Sequence, residues 1–296
     1  MLARSVPYRF FSFFNVVFFI ILAFIMILPL YKVLITSIIT VGEYYTSPLV
    51  LWPKEPTLSA YQFIFATGEI LQSVKITVLV TVLGTFLSMV VTLTLAYALS
   101  KDFLPGHKIF HRIILITMFL DSGLIPFFLL VRSLGLTDNI LVNIIPALVS
   151  LWNYLVIRSF FRQLPQSLEE AALIDGAGWW TIFIRIVLPL SMPVIATFTL
   201  FYAVGYWNTW WYSMLFCNNK DLQTLQLLLR RLVVSMESMF DMQASFAMQT
   251  GSKAAAVYNE SIKMACCVIA TIPILVVYPF LQKYFTKGVM IGAIKG

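Results

Sequence analysis

Long stretches without a charged side chain are the feature that most restricts how this chain can fold. Five runs contain no Asp, Glu, Lys or Arg, and a sixth is interrupted only by Asp121. The six runs are residues 10–31, 76–100, 113–131, 139–157, 186–219 and 264–282. A helix needs about 20 apolar residues to cross the hydrocarbon core of a bilayer. Each run is therefore a candidate transmembrane helix.

The composition and the pattern within the runs agree on the fold class. Only 11% of the 296 residues are charged, whereas a soluble domain has about 25%. The runs do not alternate between polar and apolar residues, so helices rather than a barrel are expected to satisfy the backbone. The sequence predicts an all-α membrane protein with six transmembrane helices. Residues 1–69 are predicted to form an N-terminal transmembrane helix and an outer loop, and residues 70–296 a core with five transmembrane helices.

The distribution of basic residues predicts the orientation of the helices. With the N- and C-termini in the cytoplasm, eleven of the twenty Lys and Arg residues lie on the cytoplasmic side, together with only four of the thirteen acids. The net charge of +7 therefore resides on the inner face, where it favours contact with anionic membrane lipids. Nucleic acid is not an expected partner, because no basic cluster with interleaved aromatic residues is present.

One segment between the fourth and fifth runs differs from the rest of the chain in composition. It contains the sequence "EEAALIDGAGWWTIFIRIVLPL" and lies within residues 165–190, which we call the hairpin. Ser167 and Glu170 match the S-x-x-E pattern of a capping box, which predicts a helix start. Gly176 and Gly178 predict the end of that helix, and a second short helix follows. Because the predicted orientation places the hairpin in the cytoplasm, we expect it to dock a cytosolic partner.

A spaced motif within the hairpin resembles that of a known family. The pattern E-A-A, three residues, G, nine residues, I-x-L-P is met by Glu170, Ala171, Ala172, Gly176, Ile186, Leu188 and Pro189. It is similar to the EAA loop of the permease subunits of bacterial ATP-binding cassette (ABC) importers. The resemblance implies that these residues form coupling helices that seat in a cleft of the ATPase subunit. A helix cap alone would explain Glu170, but it would not require the downstream spacing.

Further segments resemble the carbohydrate-uptake, maltose-type permeases. They are "LWPKEPTLSAYQFIF", "SGLIP", "YWNTWW" and "PFLQKYFTKGVMIGAIKG". The last of them, with the long outer segment after the fifth run, resembles the branch associated with complex oligosaccharides, including uronic-acid polymers such as alginate. The resemblance implies import of a sugar, expected to be an oligosaccharide, across the bacterial inner membrane by alternating access.

The resemblance also implies partners that this chain lacks. Importers of this family contain a second permease that forms a heterodimer with the first, two cytosolic ATPase subunits and an extracytoplasmic solute-binding protein. The sequence contains no G-x-x-x-x-G-K-[ST] phosphate-binding loop, which an ATPase of this class would need. We therefore expect the ATPase partner to bind ATP and Mg²⁺, and this chain to bind no cofactor and to have no enzymatic activity.

Aromatic and amide side chains near the end of the fifth run are candidates for contact with a sugar. Aromatic faces can cover the apolar faces of pyranose rings, and amides can bond their hydroxyl groups. The candidates are Trp207, Asn208, Trp210 and Trp211, with Asn153 and Tyr154 from the fourth run and Asp121 from the third. The aromatic residues are equally typical of the interfacial belt of membrane helices. Asp121 is either an intramembrane functional acid or the cap of a helix break.

Other functions are compatible with parts of the sequence. A permease for another solute, such as an amino acid or a peptide, would use the same hairpin. An ion-driven secondary transporter would need coupling-ion residues and usually inverted repeats, and it would leave the hairpin unexplained. A membrane-embedded enzyme would need a nucleophile–base or metal constellation. His107 and His111 are four residues apart but lack a third ligand, so no metal site is predicted.

Overall fold

The computed structural model describes residues 6–40, 43, 50–66, 68–120, 122–235, 260–276 and 279. The helices are α1 (Val6–Ser37), α2 (Ser59–Ala66), α3 (Glu69–Ser100), α4 (His107–Thr117), α5 (Leu124–Ser133), α6 (Leu151–Gln163), α7 (Gln166–Ile174), α8 (Trp179–Leu190), α9 (Met192–Trp207), α10 (Trp211–Phe216), α11 (225–235) and α12 (260–276). Short 3₁₀ helices lie at Ile140–Asn143, Ile145–Ala147 and Lys220–Leu222. No strand occurs in the described ranges, and the predicted all-α fold class is confirmed.

The membrane-spanning helices are identified in part. By length and composition, α1 from Phe11 onward and all of α3 are each able to cross a bilayer. The number rises to four if each of two bent pairs counts as a single span. One pair consists of the 3₁₀ helices before α6 and α6 itself, bent by 48°. The other consists of α8 and the segment that contains α9 and α10, bent by 84°. The third predicted span is divided, because α4 ends at Thr117 and α5 begins at Leu124. Gly123, which precedes α5, has a φ of 75° that does not continue a helix. Six spans therefore stay a prediction.

The chain divides into two compact units. The first contains Met1–Thr67 and Leu229–Ile272, and the second contains Gly68–Leu228 and Pro273–Gly296. This division assigns residues 229–272 to the first unit, whereas the division made from the sequence placed them in the core. Within the first unit, the Ser261 hydroxyl of α12 donates to the Ile39 carbonyl just after α1 (3.5 Å), which joins these parts of the chain.

The second unit is built around α3, which packs against α9 and α6. The hydroxyl groups of Ser88 and Thr92 on α3 lie 2.8 Å from those of Tyr206 and Tyr202 on α9, respectively. Gly84 lies so close to the Tyr206 ring that a Cβ atom there would be 2.7 Å from a ring carbon. Where lipid removes the hydrophobic driving force, helices associate through such small residues and interhelical hydrogen bonds. α3 and α9 therefore form a tightly packed pair.

Candidate functional site

The first arm of the hairpin is α7, which begins at Gln166 directly after Pro165. The predicted capping box is wrong, because Ser167 lies inside the helix and no side chain caps its start. Pro165 has φ −60° and ψ 121°, so the chain is extended immediately before the helix, and the ring fixes only the φ angle there. The Glu170 side chain does not cap the start of the helix, and it is exposed to solvent.

The end of α7 explains the spacing between the alanines and the glycine of the motif. Gly176 has a φ of 83°, a left-handed conformation that glycine adopts without steric cost. Its N–H donates to the Leu173 carbonyl (3.0 Å), and the Ala177 N–H donates to the Ala172 carbonyl (2.9 Å). These are the two bonds of a Schellman motif, which also brings an apolar pair together. Ala172 and Ala177 supply that pair, and both are half-buried against the core.

The second arm is α8, which is irregular at its centre. Residues Phe183–Val187 form a turn of π-helix, and Pro189 follows two positions later. Pro189 has no N–H to donate to the carbonyl four residues earlier, so the regular bonding pattern is interrupted there. The buried Ser191 ends the arm, and its hydroxyl donates to the Val187 carbonyl (2.7 Å). The chain then turns by 84° between α8 and the segment of α9 and α10.

A buried ion pair fastens the first arm to the C-terminal end of α3. Glu169 is 8% exposed, and both its carboxylate oxygens accept from the Lys101 ammonium. Lys101 directly follows α3, and its Nζ also lies 4.8 Å from the centroid of the Tyr97 ring. The two adjacent glutamates therefore differ: Glu169 forms an ion pair with Lys101 of the same chain, whereas Glu170 is exposed to solvent.

Two aromatic stacks fasten the second arm. The rings of Phe103 and Trp179 stack with centroids 4.5 Å apart, and those of Tyr97 and Phe183 with centroids 4.8 Å apart. Tyr97 also meets Phe161 of α6 edge to face at 6.1 Å. Each aromatic pair contributes about 0.5–1.5 kcal/mol beyond the area that it buries. Both arms are therefore joined to one short segment of chain at the end of α3.

The motif residues divide between two faces of the hairpin. Ala172, Ile186 and Leu188 are half-buried against the core, whereas Glu170, Ala171, Gly176 and Pro189 are exposed. The exposed face also carries apolar side chains, among which Ile174 at the end of α7 is 87% exposed. Leu168 and Leu173 are exposed as well. Apolar side chains grouped beside an acid on a protein surface indicate a face that binds another protein.

Trp207 and Asn208 line a cavity of about 640 Å³ in the second unit, which we call the tryptophan cavity. Among its lining residues, only Thr81, Trp207 and Asn208 have polar atoms in their side chains. The Asn208 amide is already engaged, because Nδ2 donates to the Val204 carbonyl (2.9 Å) and Oδ1 accepts from Gln226 (3.4 Å). Ligand sites combine apolar walls with a few placed polar groups. This cavity offers a surface on which a sugar ring could stack, and few partners for its hydroxyl groups.

Four of the other pathway candidates do not line the tryptophan cavity. Trp210 and Trp211 pack edge to face against each other, with ring centroids 5.4 Å apart. Tyr154 is fully buried in the core, and Asn153 is buried beside it on α6. Asp121 lies outside the described residues. The part that all seven candidates play in transport stays a prediction.

The residues that fasten the hairpin were not identified from the sequence. Lys101 and Glu169 are 68 positions apart, and no local pattern links them. A usable signal was nevertheless present, because the hairpin begins with two acids and the motif needs only one. Lys101 ends a long uncharged run. An acid left over from a motif and a lysine at a helix end together suggest an ion pair.

Long apolar helices, with an exposed hairpin fastened to the end of one of them, are the arrangement expected of a membrane transport subunit. The chain belongs to the family described as binding-protein-dependent transport system inner membrane component, whose model matches residues 2–291. Family membership confirms the prediction that the chain is a transport component of the inner membrane and not an enzyme.

The relatives and a solved structure agree with this assignment. The chain is 41% identical to the polygalacturonan/rhamnogalacturonan transport system permease protein YtcP of Bacillus subtilis (strain 168), over 94% of this chain and 96% of that protein. It is 40% identical to protein LplC of the same organism, over 92% of this chain and 90% of that protein. It is also similar to the crystal structure of a bacterial ABC transporter involved in the import of the acidic polysaccharide alginate. The TM-score is 0.81 and the identity 31%, over 96% of this chain and 100% of that chain. The predicted ABC-importer permease fold is confirmed.

Proposed function

We propose that this chain is the permease subunit of an ATP-driven importer that moves an oligosaccharide across the bacterial inner membrane. The observation that carries the proposal is the 41% identity to a permease named for polygalacturonan and rhamnogalacturonan transport. The similarity to an importer of the acidic polysaccharide alginate supports the same substrate class. Galacturonan and alginate are both built from uronic acids, so an acidic oligosaccharide is the substrate that we favour over an amino acid or a peptide.

The complete importer contains partners that supply what this chain lacks. A second permease forms the other half of the conduction path, two cytosolic ATPase subunits bind ATP and Mg²⁺, and an extracytoplasmic protein delivers the solute. The chain crosses the membrane several times with both termini in the cytoplasm, which the distribution of Lys and Arg supports. This orientation places the hairpin on the side where the ATPase subunits lie.

The hairpin supplies a mechanical path from the ATPase to the tryptophan cavity. The exposed face of α7, with Glu170 and Ile174, contacts the ATPase and is displaced when the ATPase closes. The Lys101–Glu169 pair and the two aromatic stacks carry that displacement to α3. The two interhelical hydroxyl pairs carry it from α3 to α9, which lines the cavity. The cavity thereby opens alternately to the two sides of the membrane, and no covalent chemistry takes place in this chain.

The substrate proposal is tested by uptake into proteoliposomes that contain the assembled importer with ATP at the ATPase side. We expect the solute-binding protein with an oligogalacturonate or an oligoalginate to stimulate uptake. A neutral glucose oligosaccharide and a tripeptide serve as comparison solutes. Uptake of the tripeptide in preference to every oligosaccharide would overturn the sugar assignment.

The coupling proposal is tested by reversing one charge on the exposed face of the hairpin. We expect Glu170→Lys to reduce co-purification of the ATPase or its stimulation by loaded binding protein, because the reversed charge faces the partner. Glu55→Lys reverses an equally exposed acid in the outer loop and is the matched control. Normal ATPase binding and stimulation by Glu170→Lys would show that this face is not the docking surface.

The pathway proposal is tested at Trp207. We expect Trp207→Ala to reduce uptake while leaving assembly intact, because it removes the largest aromatic surface of the cavity. Trp52→Ala removes an exposed tryptophan of the outer loop, which does not line the cavity, and is the matched control. Uptake by Trp207→Ala that equals that of the unmodified importer would assign Trp207 to the lipid interface.

A further inference from the structure

A second cavity, of about 500 Å³, lies in the second unit beside the start of α4, and we call it the basic cavity. It is lined by Asp102, His107, Lys108, His111, Arg112, Arg158 and Arg162, which come from the segment after α3, from α4 and from α6. Four of these residues are permanently charged cations, and only one is an acid. None of them lines the tryptophan cavity or belongs to the hairpin, so the proposed transport mechanism leaves the basic cavity unexplained.

The residues that the structure describes do not balance the charge of the basic cavity. The Asp102 carboxylate is shared between His107 (3.4 Å) and Arg162 (3.5 Å). Within the part of the chain that the structure describes, neither Lys108 nor Arg112 has an acidic partner. Like charges that line one cavity repel one another, and the repulsion is relieved when an anion enters. The basic cavity is therefore suited to bind an anion.

His111 adds to the polar lining of the cavity without adding charge. An N–H of Arg158 lies 3.3 Å from Nε2 of His111, and the Tyr154 hydroxyl lies 3.0 Å from Nδ1. A guanidinium group can only donate, so Nε2 is the acceptor and Nδ1 carries the proton. Burial, followed by the charges of Arg158, Arg162 and His107, lowers the pKa of His111. The neutral ring thus orients Arg158 at the wall of the cavity.

The helix beside the basic cavity carries both cations and exposed apolar side chains. α4 carries Lys108 and Arg112, and it also exposes apolar side chains that are each more than half accessible. These are Ile109, Phe110, Ile113 and Ile116. The third uncharged run begins at residue 113, so the cations lie where the chain enters the hydrocarbon region, at the level of lipid phosphates. A free inorganic anion would make no favourable contact with the apolar side chains of α4. A phospholipid would bind the cations through its phosphate and the apolar side chains through its acyl chains.

We infer that the basic cavity binds the phosphate of an anionic phospholipid, of the phosphatidylglycerol class, whose acyl chains lie along the exposed face of α4. Basic pockets between helices on the cytoplasmic side of a membrane bind lipid headgroups in this way. The inference rests on the proposed orientation of the chain and is independent of the transported solute. The bound headgroup offsets the repulsion between the cations of α4 and those of α6.

The test is native mass spectrometry of the assembled importer, titrated with phosphatidylglycerol or with phosphatidylcholine of the same acyl chains. We expect preferential retention of phosphatidylglycerol by the unmodified importer. Arg112→Gln should weaken this retention about fivefold, and Arg112→Gln with Lys108→Gln about 25-fold, since each basic residue near an anionic lipid surface contributes roughly that factor. Arg185→Gln, which removes an exposed arginine outside the cavity, should leave retention unchanged.

Several outcomes would overturn the inference. Equal retention of phosphatidylglycerol by the double variant and the unmodified importer would exclude this cavity as the site. Equal weakening by Arg112→Gln and Arg185→Gln would indicate attraction by net charge alone. Saturation of the lipid-stripped importer by inorganic phosphate, with no added effect of lipid, would identify a site for a free anion. Loss of the ATPase subunit from the double variant, with lipid retention unchanged, would identify a protein-binding surface. Because retention is measured without transport, a wrong substrate assignment would not affect the result.

Discussion

The two ends of α3 are built in different ways. At the Lys101 end, a buried ion pair and two aromatic stacks fasten the hairpin. Toward the Glu69 end, the tryptophan cavity is bounded by residues 78–82 of the same helix and is nearly free of polar groups. At 1.5 Å per residue, the two places are about 30 Å apart along the helix. One helix thus joins a region held by specific polar and aromatic contacts, at the hairpin, to a region with few polar groups, at the tryptophan cavity.

The mechanism proposed above gives the two ends of α3 different roles, and the difference in construction matches those roles. A hairpin that a partner displaces must keep its orientation, and specific polar and aromatic pairs hold it more strictly than aliphatic contacts do. A conduction surface must release what it binds, so strong polar contacts there would slow passage. The chain concentrates specific interactions at the end where the proposed mechanism transmits force. Under the same proposal, groups outside this cavity supply most of the recognition of the sugar hydroxyl groups.

The largest expected effect comes from breaking the ion pair. Glu169→Gln leaves the Lys101 ammonium buried without a counter-charge, at a side-chain exposure of 15%. Loss of one partner from a buried pair costs about 3 kcal/mol, so the thermal unfolding temperature of the assembled complex should fall by several degrees. Glu170→Gln, one position later and exposed, should change stability by less than about 0.5 kcal/mol.

A charge swap sharpens this first prediction. Lys101→Glu combined with Glu169→Lys restores opposite charges at the same two positions, so the double variant should recover part of the loss seen in either single variant. The coupling energy from the four proteins isolates the pair from other effects of the substitutions. Equal stability of the Glu169→Gln and Glu170→Gln variants would show that the Lys101–Glu169 pair does not stabilise the Lys101 end of α3.

The second prediction concerns the contact between α3 and α9, which lies between the tryptophan cavity and the Lys101 end of α3. In Gly84→Ala, the new methyl group would lie 2.7 Å from the Tyr206 ring, whose hydroxyl is held by Ser88 (2.8 Å) and by the Ile144 carbonyl (3.2 Å). Overpacking of this kind costs about 1–3 kcal/mol. We expect a lower unfolding temperature and ATP hydrolysis that is poorly coupled to uptake.

A second glycine in the same helix pair provides the control for that experiment. A Cβ atom at Gly205 on α9 meets no atom within 4 Å, so Gly205→Ala should leave stability unchanged or slightly raised. Similar losses in both variants would mean that any added methyl group in these helices is harmful. The close approach of α3 and α9 would then not be the cause.

The turn of the hairpin was predictable from the sequence, whereas its anchor was not. Gly176 lies four residues after Ala172, and a glycine after a helix indicates a left-handed cap, which the φ of 83° confirms. The start of α7 was misassigned because Ser167 fits a capping pattern as well as it fits a helix interior, and Pro165 decides between them. The Lys101–Glu169 pair depends on how two distant helix ends meet. The spare acid and the lysine at a helix end indicate that an ion pair forms, but they do not identify these two residues as its partners.

The third prediction tests the turn itself. Gly176 and Gly178 both have open space where a Cβ atom would lie, but only Gly176 has a positive φ. Gly176→Ala should therefore destabilise the hairpin by about 1 kcal/mol, since a side chain in the left-handed region is strained. Gly178→Ala should be neutral. The measurement is the affinity of the purified permease pair for the ATPase, which should fall for the first variant alone. Equal affinities would mean that the left-handed turn is not needed for docking.

The smallest expected effect is a dependence of stability on pH at the Lys101 end. His111 lies in the segment between the second and third uncharged runs, and its pKa is lowered from 6.5 by burial and by Arg158, Arg162 and His107. As the pH falls through 6.5, the unfolded chain takes up a proton before the folded chain does, which favours unfolding. The contribution of His111 is therefore complete above pH 6.5 and is lost as the pH falls toward the lower folded value. His111→Gln keeps a neutral donor and acceptor, so its unfolding temperature should fall less than that of the unmodified complex between pH 7.5 and pH 5.5. Parallel decreases for the two proteins would assign the acid sensitivity to other groups.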